Sequence, residues 1–448
     1  MKTKQVESVL IPTRLFLAVA LVVAAAFSQA LAGTMSDANW TVVGSGMNGT
    51  VLASAVSGSN LYVGGTFTNA SGSNYVARWD GSSWTALGPG MNGAIRALAV
   101  SGTNLYAGGS FTMVGFLFYS HIARWDGTTW WGLSGGVNGD VDALTVSGTN
   151  LYVGGSFTTA ISTVNHVAKW NGFAWSALGP GLTNSTGGIV DALAVSGNDL
   201  YAGGSFTMAG SLPVNGIARW DGSAWSALGA GVGGGILKFV DAIAFLGGDV
   251  YAGGLFTKAT NNGGVVVAAT NIARWTGGTW TNVGSGLTIN LGANALAVSG
   301  GDLYAGGSFQ NAGGNPASAI AKWDGTNWTA LGSGLVGGSP PTVFTLAVSG
   351  SNLYVGGAFT NAGGKSCARI ARVYLGTIPV LSLIRSGSQA VVSWPTADTD
   401  GFALEQATAL GAGSVWASNA AVIADDGTNR QIAVPVTGEA QFFRLRKP

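Results

Sequence analysis

The sequence is poor in the residues from which most catalytic and metal centres are built. It has one cysteine, Cys367, and two histidines, His121 and His166. A lone cysteine excludes an internal disulfide even where the compartment would permit one, and it reads as a small buried side chain. Two histidines on separate loops are too few for the usual zinc ligand sets. Only 9% of the residues are charged, and the formal net charge is +1. Disorder needs low hydrophobicity and high charge, so an unstructured chain is excluded. Nucleic-acid binding needs a basic face, and no basic excess exists to build one. Glutamate is scarce: beyond Glu7 there are only Glu405 and Glu439, both near the C-terminal end.

A long apolar run is also missing. The one candidate, Leu15 to Phe27, is shorter than the stretch of about 20 residues that spans a bilayer. Lys2, Lys4 and Arg14 lie before it, and Ala30-Leu31-Ala32 satisfies the small-x-small rule for cleavage. Residues 1–32 are therefore expected to be a secretory signal peptide, with an uncleaved anchor as the alternative. The mature chain would start at Gly33, carry nearly balanced charge and no transmembrane segment, and reside outside the cell or in its envelope (periplasm or surface).

Against these absences stand 74 glycines and 16 tryptophans, and they recur in order. LYVGGTF at 61 returns as LYAGGSF at 105, LYVGGSF at 151, LYAGGSF at 200, VYAGGLF at 250, LYAGGSF at 303 and LYVGGAF at 353. Periods of about 40–50 residues with β patterning point to propeller blades, each a four-stranded sheet. In the second repeat the strands read as Ala97–Val100, then from Leu105 to Ala107, Ile122–Trp125 and a last one opening at Trp130. The Gly108-Gly109 pair closes the second strand, where glycine permits positive φ or close backbone approach. Asp126-Gly127 is a hairpin turn signal.

The repeats are offset at the chain ends. A tryptophan that opens the last strand occurs at Trp40, Trp84, Trp130, Trp175, Trp225, Trp280 and Trp328. The first copy precedes any first strand, and the seventh repeat has none. Trp40–Val43 is thus expected to complete the sheet begun by Phe344–Val348, closing a ring and removing two open edges. A linear β-solenoid, the alternative, gives the offset no purpose. The expected fold is all-β: a seven-bladed β-propeller over 33–377, closed by its N-terminal strand. Short strand-like runs over 378–448 suggest a small β-sandwich.

The double glycine after an apolar strand, the aromatic-Asp turn and the tryptophan about five residues on resemble the kelch and galactose-oxidase-type propeller repeat. The phrases WTALGSGL and LYVGGSFT also resemble uncharacterised bacterial repeat propellers and fungal cortical cell-polarity marker propellers. Kelch repeats usually place tyrosine before the aspartate, whereas this chain has Trp79, Trp125, Trp170, Trp220, Trp275 and Trp323. The segments VVSWP, GFALEQA and FFRLR are similar to fibronectin type III modules. The galactose-oxidase resemblance does not extend to the copper enzyme's activity, whose His, Tyr and Cys set is missing here. Sialidase Asp-boxes are not matched either, because Asp and Gly are adjacent in these turns.

Most charges sit at repeated positions and read as architecture. Arg78, Arg124, Lys169, Arg219, Arg274, Lys322 and Arg372 are expected to stack on tryptophan or pair with the turn aspartates. Asp80, Asp126, Asp221 and Asp324 are expected to bond nearby turn backbone. The variable positions are more informative. Just before each first-strand core lies a ring of Leu52, Arg96, Asp142, Asp191, Asp241, Asn294 and Phe344, expected at the mouth of the central channel. Three carboxylates on adjacent blades beside Arg96 could hold Ca²⁺, which prefers oxygen ligands, or hydrogen-bond a polyol; capping of local amides is the alternative. The loop with Phe116, Leu117, Phe118, Tyr119 and His121 is unusually aromatic, and exposed apolar patches often mark contact surfaces. The expected function is a binding or adhesion scaffold for an extracellular protein or glycan, with no catalytic or metal residues assigned and no required cofactor. The alternative is a carbohydrate-active hydrolase or lyase using a pair among Asp142, Asp191 and Asp241.

Overall fold

The computed structural model describes residues 35–68, 74–185, 187–234, 239–288 and 292–376, and shorter stretches between 381 and 446. The expected signal peptide, its cleavage point at Gly33, the 377/378 boundary and Glu439 lie outside the described residues. The chain divides into two compact units, 34–375 and a second containing 376–448.

The first unit is all-β, with repeated four-stranded antiparallel sheets in propeller-like order. In the second sheet, Ile95–Ser101, Asn104–Gly109, Ile122–Trp125 and Trp130–Gly132 lie side by side in sequence order. Six sheets are built this way from consecutive residues. The seventh combines Thr342–Ser349, Asn352–Ala358 and Ile370–Tyr374 with Trp40–Val42 from the other end of the chain. Trp40 pairs with Val373 and Val42 with Ala371. The first strand of each sheet packs on the first strand of the next, and that of the seventh sheet packs back on Val51–Ser57 of the first.

Three repeated devices hold neighbouring sheets together. Each last-strand tryptophan donates its indole N–H to a carbonyl of the preceding sheet: Trp130 to Leu87 at 2.8 Å, Trp175 to Leu133 at 2.9 Å and Trp328 to Val283 at 3.0 Å. Trp40 closes the cycle on Leu331 at 3.0 Å. Phenylalanine 111 and its counterparts are buried behind each glycine pair. The glycine pair itself is explained by close approach, since neither member adopts positive φ. A Cβ on Gly108 would lie 2.3 Å from Val141 of the next sheet, and one on Gly109 would lie 2.0 Å from the Ala94 carbonyl oxygen. Because that neighbour is backbone, Gly109→Ala is expected to cost about 2 kcal/mol or more, read as a lower urea or thermal midpoint. An unchanged midpoint would show that the first and second strands of the sheet can part there.

The repeated charges resolve differently from expectation. The turn aspartates do bond local backbone: Asp126 Oδ1 accepts from the N–H groups of Thr128 and Thr129 at 2.9 and 2.8 Å. These bonds hold the Asp126 carboxyl well below the usual carboxylate range. The basic residues do not pair with those turns. Arg219, Arg274 and Lys322 pair with Asp199, Asp249 and Asp302 at the start of the adjacent second strand, and Arg372 donates to Thr41.

In the second unit, Ser382–Ser386, Gln389–Pro395, Asn429–Pro435 and Ala424–Asp425 form one sheet. Ala417–Ser418, Ala403–Ala407 and Phe442–Arg446 form another. Trp394, Val392 and Ile432 from the first meet Leu404 and Phe443 from the second in one small core. Arg444 pairs with Glu405 at 2.6 Å and lies over the Trp416 ring.

Candidate functional site

Each first strand of the repeat unit carries a bulge, and always at the same place. The register skips one residue between Val51 and Ala53, Ile95 and Ala97, Val141 and Ala143, Val190 and Ala192, Val240 and Ala242, Ala293 and Ala295, and Val343 and Thr345. The skipped residues are Leu52, Arg96, Asp142, Asp191, Asp241, Asn294 and Phe344, the ring of variable positions. A bulge leaves one residue outside the ladder and re-aims its side chain. The architecture thus presents one side chain per sheet at a common register, and the residue type varies around the ring, with aspartate in sheets three to five.

Six of the seven line one cavity of about 230 Å³. The exception is Asn294, whose side-chain amide donates to the Val343 carbonyl at 3.2 Å. Arg96 bridges two carboxylates, Asp142 at 3.1 Å and Asp140 at 3.1 Å. Asp140 was not among the expected site residues; its signal is an aspartate just before the third sheet's first strand, where other sheets carry Thr50, Ala94 or Ile189. Asp191 has no such partner, and its Oδ2 is buried without a hydrogen bond. Burial, with Asp241 and Asp142 alongside, pushes the Asp191 carboxyl up to about 8. Burial pushes Asp241 up to about 6. Asp142 is raised by burial too, with Arg96 opposing. Burial and mutual repulsion thus favour retention of a proton by this cluster well above the usual carboxylate range, beside the Arg96-paired Asp142. Among the described residues, no three His, Cys, Asp or Glu side chains are placed to hold one metal ion, so the Ca²⁺ expectation gains no support from the geometry.

The aromatic loop divides. Phe116 and Phe118 are 96% and 80% exposed. Tyr119 is half-buried, lies against Gly132 and donates its hydroxyl to the Trp130 carbonyl at 3.3 Å. His121 also has a local role. It is the left-handed residue that ends the loop (φ 65°), a conformation shared by Tyr75, His166, Asn271, Ala319 and Arg369. Its backbone N–H donates to the Phe111 carbonyl at 2.8 Å. Its ring Nδ1 lies 3.1 Å from the Gly109 carbonyl oxygen and 3.5 Å from Asp140. His121, Asp140, Arg96 and Asp142 thereby connect this loop to the channel mouth.

No protein-family model matches the chain, and no curated protein matches it. Three solved structures illustrate its similarity of fold. YjhT is 13% identical with a TM-score of 0.40, covering 64% of this chain and all of its own. A puromycin-hydrolysing peptidase of Mycobacterium tuberculosis is 12% identical with a TM-score of 0.42, covering 81% of this chain and 60% of its own. A xyloglucan-locus protein of Bacteroides ovatus, GH43B, is 11% identical with a TM-score of 0.27, covering 91% and 99%. These likenesses carry no activity over to this chain.

Proposed function

We propose that the repeat unit is a seven-bladed, kelch-type β-propeller closed by its N-terminal strand, followed in the chain by a small fibronectin type III-like β-sandwich. In this reading the protein is exported, and the propeller is a binding scaffold that takes an extracellular protein or glycan at its channel mouth. One observation supports the reading: seven bulges of identical register carry five residue types, Leu, Arg, Asp, Asn and Phe. Positions that serve only the ring, such as the glycine pair and the indole donors, repeat almost unchanged. The bulge positions combine fixed geometry with free choice of residue, as a recognition surface on a rigid scaffold requires.

A second reading is favoured by the unequal proton affinities of the carboxylates. Asp191, whose carboxyl burial raises most, could give its proton to a glycosidic oxygen while Asp142, whose rise Arg96 opposes, activates water. Glycan and peptide arrays run beside a polysaccharide panel assayed for new reducing ends separate the two. The binding reading expects saturable capture, weakened about tenfold by Arg96→Ala or Asp142→Asn, with no turnover. Reducing ends that disappear in Asp191→Asn while capture persists would make the protein a hydrolase. Silence in every assay would leave a purely structural role.

A further inference from the structure

Resting on the reading of the channel mouth as a binding surface, we propose a specific occupant. It is a protein segment that inserts one lysine or arginine side chain into the channel mouth and lays apolar flanking residues over the hairpins of sheets two to five.

The exposed apolar side chains of this face are not scattered. Between the second and third strands of sheets two to seven a hairpin leaves from the glycine pair, which lies opposite the bulge, as Gly109 lies opposite Ile95. Hairpins and ring therefore share one end of these sheets. In the second sheet the hairpin exposes Phe116, Leu117 and Phe118, in the third Ile161, in the fourth Leu212 and in the fifth Val265 and Val266. The hairpins of the sixth and seventh sheets instead carry Asn315-Pro316 and Lys365-Ser366; beside them the described residues expose one large apolar side chain, Val336, in the strand paired with the seventh hairpin. The ring changes with the same boundary. Sheets two to five contribute Arg96, Asp142, Asp191 and Asp241, while sheets six, seven and one contribute Asn294, Phe344 and Leu52. One arc of the face is thus apolar at its rim and acidic at its centre.

Charge complementarity selects the occupant. Of the carboxylates at the mouth, Asp140 and Asp142 pair directly with Arg96; its charge also reaches Asp191, but among the described residues neither Asp191 nor Asp241 has an ion pair of its own. An ammonium or guanidinium would supply both the opposite charge and hydrogen bonds to an oxygen that now has none. A cavity of about 230 Å³ admits one long side chain and no folded element. Apolar neighbours of that side chain would then cover the hairpin tips, which gives the apolar core and charged anchor that productive interfaces show. A neutral glycan would account for the aromatic tips but not for the surplus of carboxylates.

Binding of a cation to this mouth displaces the protons held by Asp191 and Asp241, so affinity must rise with pH between about 6 and 8. The groups facing them are Asp142 and Arg96, with Asp140 and His121 behind Arg96. The test uses the full chain and a displayed library of ten-residue peptides with a central lysine, arginine or acetyl-lysine. Lysine or arginine flanked by Leu or Phe should be enriched. The best peptide should bind about tenfold more weakly as its acetyl-lysine form, and also to Asp191→Asn or to the Phe116→Ser/Phe118→Ser variant. Its affinity should fall as pH drops from 8 to 5. Equal binding of the acetyl-lysine peptide, a flat pH profile, or no enrichment overturns the cationic occupant. If glycan-array binding persists alongside any of those results, the scaffold reading stands and only its occupant is wrong.

Discussion

Trp40→Ala is expected to destabilise the repeat unit by about 4 kcal/mol, the range of a fully buried aromatic truncated in a core. Trp40 has no exposed surface and packs with Leu353, Val355, Val373 and Leu331. It also abuts Gly363, where even a Cβ would come within 2.2 Å of its ring. Three terms are lost together: the apolar contact, the indole bond to Leu331, and the strand that covers Ile370–Tyr374. Lys365 further ties this segment down by donating to the carbonyls of Asp37, Ala38 and Trp40. The matching change at Trp84 should cost less, because that ring is partly exposed and its indole bond to Val43 is 3.2 Å long. Urea denaturation followed by tryptophan fluorescence reads both values. Uncovering Ile370–Tyr374 leaves an open sheet edge, so the Trp40 variant should also form higher oligomers on a sizing column. Equal, small losses at the two positions would mean that the N-terminal strand does not close the ring.

The sequence makes the strands legible because each repeat restates the same period-two pattern between glycine turns. It also makes the offset legible, since one tryptophan too many at the start matches one too few at the end. The ring of variable positions can be located by alignment of the repeats with one another. What it cannot reveal is why those positions face the channel. A bulge is a property of pairing between two strands, and neither Asp191 nor its neighbours has a residue type that demands one. The same limit explains His121. As one residue among loop residues it suggests chemistry. Only the backbone shows it at a left-handed corner that Ala319 and Arg369 fill equally well. The partner of the repeated basic residue was misjudged for a related reason. Asp199, Asp249 and Asp302 replace asparagine at the start of the second strand only in sheets four to six, and those are the sheets where the third-strand Arg or Lys finds its ion pair.

The largest electrostatic consequence of the bulges lies at Asp191. Its folded carboxyl titrates near 8 against an ordinary value of 3.8. Below the ordinary value both folded and unfolded chains are protonated, and burial costs nothing through ionisation. As pH rises the unfolded chain loses this proton first while the folded chain keeps it. The native state then binds more protons, so its stability falls with pH until the folded carboxyl itself ionises. Asp191→Asn removes that fall. The variant should match the wild type near pH 4 and exceed it by about 3 kcal/mol at pH 7.5, a figure reduced from the full shift because the side chain can relax towards water. Asp241→Asn should show a smaller gain that levels off near pH 6. Denaturation midpoints measured from pH 4 to 9 decide the matter, and parallel curves for wild type and variant would refute a buried carboxylate raised in this way. A gain in stability coupled with loss of ligand would identify Asp191 as a residue kept at a cost to the fold, as functional sites commonly are. It would also place the recognition chemistry at a point where the repeats are free to differ.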